Sequence, residues 1–95
     1  MDNKQTYLSR MAGQLQNWDQ ELQQLKVKAE HVKQEKKQDI KDSIAGLNAK
    51  RADLNNRIEI LRNSSSSAWE DLKNGFDKSV SEFRKSLDTA MQKLK

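Results

Sequence analysis

The chain has 95 residues, 34% hydrophobic and 34% charged, with a formal net charge of +4. This length allows one small domain, and so few apolar residues suit an elongated helical bundle better than a globule with one central core. The absence of cysteine excludes disulfides and thiolate metal sites, and the mixing of lysine with acidic residues argues against a nucleic-acid-binding block.

A first apolar stripe begins at Leu8. Its members recur every three or four residues, so they share one side of an α-helix. Asp2 is expected to cap this helix, and the chain has no proline to interrupt it. The stripe consists of Leu8, Met11, Leu15, Trp18, Leu22, Leu25, Ala29 and Val32.

A polar stretch, residues 33–39, separates this stripe from a second one that is displaced by one residue in heptad register. The stretch contains strong helix formers and no glycine, proline, asparagine or serine. We therefore favour one continuous helix over about 4–62, with a break near 33–39 as the alternative. The second stripe comprises Ile40, Ile44, Leu47, Leu54, Ile58 and Leu61.

Asn63 and four serines form a predicted turn over 63–67. Ser67 and Glu70 have the spacing of a capping box, which predicts a further helix over about 68–94. Its apolar face comprises Trp69, Leu72, Phe76, Val80, Phe83, Leu87, Ala90 and Leu94.

These elements predict an all-α fold, a single coiled-coil domain over 1–95. The shorter helix can cover only half of the long one in an antiparallel hairpin. The uncovered half, from Leu8 to Val32, is expected to pack on a second copy in an antiparallel dimer, with a three-helix bundle at each end. If the helix breaks near 33–39, the same segments form a monomeric three-helix bundle.

Two segments, residues 14–30 and the string from Ser67 to Lys78 that reads Ala-Trp-Glu-Asp-Leu-Lys-Asn-Gly-Phe at its centre, resemble small bacterial coiled-coil proteins labelled stress-response proteins. That family combines a long helix carrying a tryptophan, a short Gly/Ser break and an Ala-Trp-Glu-Asp-Leu-Lys helix. The resemblance implies a helical fold and a link to stress, and it implies no catalytic residue.

Residues with possible chemistry do not form a recognisable site. His31 is the only histidine, and the lysines at 33, 36, 37 and 41 alternate with acidic residues. We expect no catalytic, cofactor-binding or metal-binding residue, no enzymatic activity and no nucleic-acid partner.

The expected function is a non-catalytic structural or protein-interaction role related to stress, with homo-oligomerisation. The alternative is a peripheral protein whose amphipathic helices lie on a membrane surface. The N-terminus lacks the apolar segment of a secretory signal and no apolar run is long enough to span a membrane, so we expect a cytoplasmic protein.

Overall fold

The computed structural model describes residues 3–94, which form three α-helices: α1 (Lys4–Ala29), α2 (Gln34–Arg62) and α3 (Ser66–Gln92). Contacts far apart in sequence give their directions. Lys4 at the start of α1 reaches the Ser64 carbonyl after α2, and Lys93 after α3 reaches Asp39 near the start of α2. The helices therefore run up, down and up in a bundle of 51 × 17 × 17 Å.

The favoured continuous helix over 4–62 is wrong, because the chain turns at Glu30–Lys33. The break overlaps the polar stretch over 33–39 only at Lys33. Residues 34–38 are good helix formers and become the first turns of α2, whereas His31 and the β-branched Val32 have lower helix propensity. The amides of Glu30 and His31 bond to the Val27 and Lys28 carbonyls and close α1. This path gives the three-helix bundle that we kept as the alternative.

The residues that cap the helices also differ from those expected. The Asn3 side chain accepts a hydrogen bond from the Thr6 amide at 2.8 Å and caps α1. The predicted cap, Asp2, lies outside the described residues. Ser65, rather than Ser67, caps α3 by accepting from the Ala68 amide at 3.3 Å. Any of several adjacent serines has the chemistry to cap a helix, so the composition located the turn but not the cap.

The core runs along the bundle axis and is built from one face of each helix. Leu25 and Phe83 are 0% exposed, and no polar or charged residue among those described is buried. Polar side chains instead fasten the helices at the rim. Arg51 of α2 makes two hydrogen bonds with Asp19 of α1, at 2.7 and 2.9 Å, and the Lys50 ammonium donates to the Ser86 hydroxyl at 2.8 Å.

The fold covers the α1 stripe within one chain. Leu8, Leu15, Leu22 and Leu25 are all buried against the other two helices. The uncovered stripe was the reason for expecting an antiparallel dimer, so that reason no longer applies.

Candidate functional site

Most of the predicted interface and core residues lie in the bundle interior. The buried ones are Leu8, Leu15, Trp18, Leu22, Leu25, Leu47, Leu54, Ile58, Leu61, Phe76, Phe83 and Leu87. Met11, Ile44 and Trp69 are partly buried against them. Val32 is also partly buried and lies in the turn between α1 and α2.

Leu72 is different from the other predicted core residues, because it is 36% exposed. Positions 72 and 73 both have helical spacing to Trp69 and Phe76, so either can face the core. The fold directs Lys73 toward α1, where its ammonium lies 5.2 Å from the centre of the Tyr7 ring. Leu72 is thereby displaced to the rim of the groove between α3 and α2.

An aromatic cluster lies at the end of the bundle where α1 begins. Tyr7 is 2% exposed and packs edge-on against Trp69 and Phe76, with ring centroids 5.4 and 6.4 Å apart. Its hydroxyl donates a hydrogen bond to the Asp77 carboxylate. This bond links α1 to α3 through the hydroxyl of a buried core side chain. Tyr7 was missed as a core residue, although its four-residue spacing to Met11 extends the first stripe.

The surroundings of Tyr7 keep it neutral. Burial raises the pKa of its phenol, and the hydrogen bond to Asp77 and the negative charge of that carboxylate raise the pKa further, against a smaller opposing effect of Arg10. Cations also lie over the rings of this cluster. The Arg10 guanidinium is 5.8 Å from the Tyr7 centroid, and the Lys4 ammonium is 5.8 Å from the Trp69 ring. These are ring–cation contacts that support packing.

Trp18 packs in the bundle as expected for a core tryptophan. It is 6% exposed, and its ring lies 5.2 Å from that of Phe83 on α3. Burial of such a ring removes about 150–250 Å² of surface from water. Neither ring is available for a ligand while the bundle is closed.

Two exposed apolar side chains adjoin each other across a groove. Ile60 of α2 is 55% exposed, and Leu72 of α3 lies with it on a small hollow whose base is formed by the buried Leu61 and Phe76. Arg57 borders the same hollow. We call Ile60 and Leu72 the Ile60–Leu72 patch. Val27, which is 51% exposed on α1, does not line this hollow.

The described residues contain no group of three or more histidine, cysteine or acidic side chains that could hold a metal ion. His31 is exposed in the turn between α1 and α2. None of the helices over residues 3–94 is both long enough and apolar enough to cross a membrane. Comparison of the chain with protein-family models, curated proteins and solved structures finds no match.

Proposed function

We propose that this chain is a non-catalytic interaction protein, a helical bundle that binds another protein through its surface. The observation that carries the proposal is the Ile60–Leu72 patch. Two large apolar side chains are exposed to water beside each other. Polar residues could stand at both positions without disturbing the core. Covering apolar surface with a partner contributes a favourable free energy of about 25 cal/mol per Å².

The shape of the groove favours a helix as the partner. The patch lies on two neighbouring helices, α2 and α3, and a third apolar side chain could enter the hollow between them. Arg57 at the border would pair with an acidic residue flanking the apolar side chains of the partner, although it already bonds with Asp53 at 2.7 Å. The homo-oligomer expected from the sequence requires that the partner is a second copy of the chain.

Self-association is tested by sedimentation of the 11.0 kDa chain over a range of concentrations. A dimer that Ile60→Gln with Leu72→Gln abolishes, and that the matched exposed-site variant Val27→Gln retains, supports the patch as its interface. A dimer that all three substitutions leave intact excludes the patch as the site of self-association.

A partner other than the chain itself is tested by photo-crosslinking in an extract of the native host. A photoreactive amino acid at position 72 is compared with one at position 27. A discrete adduct at position 72 that excess unlabelled wild type suppresses, and the Ile60→Gln, Leu72→Gln variant does not, supports the proposal. A monomer that forms no adduct specific to position 72 contradicts it.

A membrane-surface role is the second candidate, and α3 is the element that favours it. Its face carries Trp69, Phe76 and Phe83 in one line, and two of these are fully buried in the closed bundle. Lipid binding through this face would therefore require the bundle to open. Co-flotation with anionic vesicles that persists at high salt would support this role, and flotation lost at high salt would exclude insertion of the apolar face.

The stress-related role stays a proposal that rests on the sequence resemblance alone. The cytoplasmic location likewise stays a proposal based on the sequence. Both are compatible with a small interaction protein of this kind.

A further inference from the structure

A cationic hollow lies at the end of the bundle where α1 turns into α2. Its volume is about 360 Å³, and four lysines and the only histidine line it. They come from all three helices and the turn between α1 and α2: Lys28 from α1, His31 and Lys33 from the turn, Lys36 from α2, and Lys93 from the end of α3. We call this site the lysine hollow.

The positive charge of the lysine hollow is not neutralised from within. Among the described residues, no carboxylate side chain lines it, and the side chains of Lys28, Lys33 and Lys36 form no ion pair or hydrogen bond. Lys93 has partners at its edge, the Asp39 carboxylate at 3.4 Å and the Ser43 hydroxyl at 3.1 Å. Like charges held around one space repel each other, so an anion placed among them lowers the energy of all four.

The fold separates charges that are interleaved along the sequence. Glu30 follows Lys28 by two residues, yet it lines a different hollow on the other side of the turn, together with Lys26, Lys37 and Lys41. We call that second site the mixed hollow. The alternation of lysine and acid along the sequence thus hides a site lined by cations, because consecutive residues at a helical turn face different sides.

The remaining lining of the lysine hollow limits the ligand class. Its apolar residues are Val32 and Leu94, both partly buried, and the only ring in the described lining is the imidazole of the exposed His31, with no phenylalanine, tyrosine or tryptophan on which a base could stack. Lys33 caps α2 without a side-chain hydrogen bond, so no side chain satisfies the first amides of that helix. These features suit a compact anion with several charges rather than a nucleoside or a nucleic-acid strand.

We propose that the lysine hollow binds a phosphate-bearing polyanion through Lys28, Lys33, Lys36 and Lys93. Phosphate oxygens accept charge-assisted hydrogen bonds from ammonium groups, and a chain of phosphates can reach several lysines together. The site is separate from the Ile60–Leu72 patch, so this proposal is independent of the proposed function.

The test uses inorganic tripolyphosphate as the probe and nuclear magnetic resonance as the measurement. His31 is the only histidine of the chain, so its ring C–H signals report on this hollow without assignment of other residues. At constant pH, we expect these signals to shift saturably with added tripolyphosphate. A shift reproduced by sodium chloride of equal ionic strength would overturn the proposal, because it would reflect screening alone.

Two triple variants separate a site from general charge attraction. Lys28→Gln, Lys33→Gln and Lys36→Gln together should weaken binding about tenfold or more, which corresponds to about 1.4 kcal/mol. Lys26→Gln, Lys37→Gln and Lys41→Gln around the mixed hollow remove the same charge and should weaken it far less. Circular dichroism confirms that both variants fold. Equal losses in the two folded variants would overturn the proposal.

The source of the phosphate is resolved by a third arm. Vesicles containing phosphatidate present the same phosphate group on a lipid. If they float the wild type and the mixed-hollow variant but not the lysine-hollow variant, the ligand is a lipid headgroup. If only tripolyphosphate binds with that pattern, the ligand is a soluble polyphosphate. If neither probe shows the pattern, the proposal is wrong.

Discussion

Tyr7 is a buried core residue whose hydroxyl bonds to a charged side chain. Its ring is enclosed by Trp69 and Phe76, and its hydroxyl is oriented by Asp77. The phenol is protonated in this setting because burial and a neighbouring carboxylate both oppose a phenolate. The stability of the fold is therefore expected to decrease at alkaline pH.

The direction of this pH dependence follows from the difference between the pKa of Tyr7 in the folded and in the unfolded chain. The pKa of Tyr7 is raised in the folded state, so its contribution is complete below the unfolded pKa of about 10 and is lost as pH rises above that value. We expect the melting temperature to fall above about pH 10, and the melting temperature of Tyr7→Phe to fall less steeply, because that variant lacks the phenol. Because this is the only tyrosine, tyrosinate absorbance checks the cause directly. Ionisation of the native protein near pH 10, as in denaturant, would contradict the prediction.

Gly46 lies inside α2, and a methyl group added there would meet nothing within 4 Å. It needs no unusual backbone angle, since no glycine among the described residues has a positive φ. Gly46→Ala should therefore raise the free energy of unfolding by about 0.5–1 kcal/mol, measured by urea denaturation. The reverse exchange at the exposed neighbour, Ala45→Gly, should lower it by a similar amount. A loss of stability in Gly46→Ala would contradict the open space beside Gly46.

At the scale of elements, the turn between α1 and α2 is built without glycine, proline or any left-handed residue. Glu30 ends α1 in a helical conformation, and Lys33 is extended, with φ −61° and ψ 148°. A turn made from ordinary conformations leaves little trace in composition. The one-residue shift in register between the stripes was its only signal.

The extended backbone of Lys33 allows proline at the next position. Gln34 is the first residue of α2, where proline loses no helical hydrogen bond, and an extended residue before proline is favoured. Gln34→Pro should retain the fold and gain about 0.4–1 kcal/mol by restricting the unfolded chain. In a continuous helix the same change would cost about 3 kcal/mol. A large drop in the urea midpoint would contradict the turn, and Gln38→Pro, inside α2, is the destabilising control.

The contact of α3 with the other helices depends on its aromatic residues. Phe76 is 1% exposed and packs against Tyr7, so Phe76→Ala should cost about 3–5 kcal/mol of a total stability that is only about 5–15 kcal/mol. Thermal melts by circular dichroism measure the effect. The exposed Lys36→Ala is the control and should change little. A Phe76→Ala melt within a degree or two of wild type would mean that α3 is not packed as described.

At the scale of the whole molecule, the topology makes a distance prediction. Ser9 of α1 and Glu59 of α2 line one hollow. Spin labels at these two positions should therefore be separated only by the distance between neighbouring helices. In a continuous helix the fifty residues between them would span about 75 Å. Labelled protein diluted with unlabelled protein excludes distances between two chains. A long distance in this sample would contradict the three-helix bundle.

Periodicity predicted which faces of the helices are apolar, because burial of a stripe is a local property of spacing. The return path of the chain was harder to predict. A continuous helix and a turn at 30–33 bury the same stripe, and only tertiary packing decides between them. The Tyr7–Asp77 bond and the gathering of Lys28, Lys36 and Lys93 around one hollow were not predicted, because both depend on how α3 aligns with α1 and α2.

The turn at Glu30–Lys33 has a consequence for assembly. No described residue of the turn has a positive φ, so the turn stores no backbone strain. Straightening the turn would join α1 to α2 as one continuous helix. The α1 segment of each chain would then occupy, on another copy, the place that it occupies on its own chain, with the same contacts to Phe83 and Arg51. This exchange would be domain swapping, and its product would be the antiparallel pair of long helices. Gln34→Pro would block this exchange, so the same substitution that tests the turn should prevent formation of a swapped dimer at high concentration and leave any association through the Ile60–Leu72 patch unchanged.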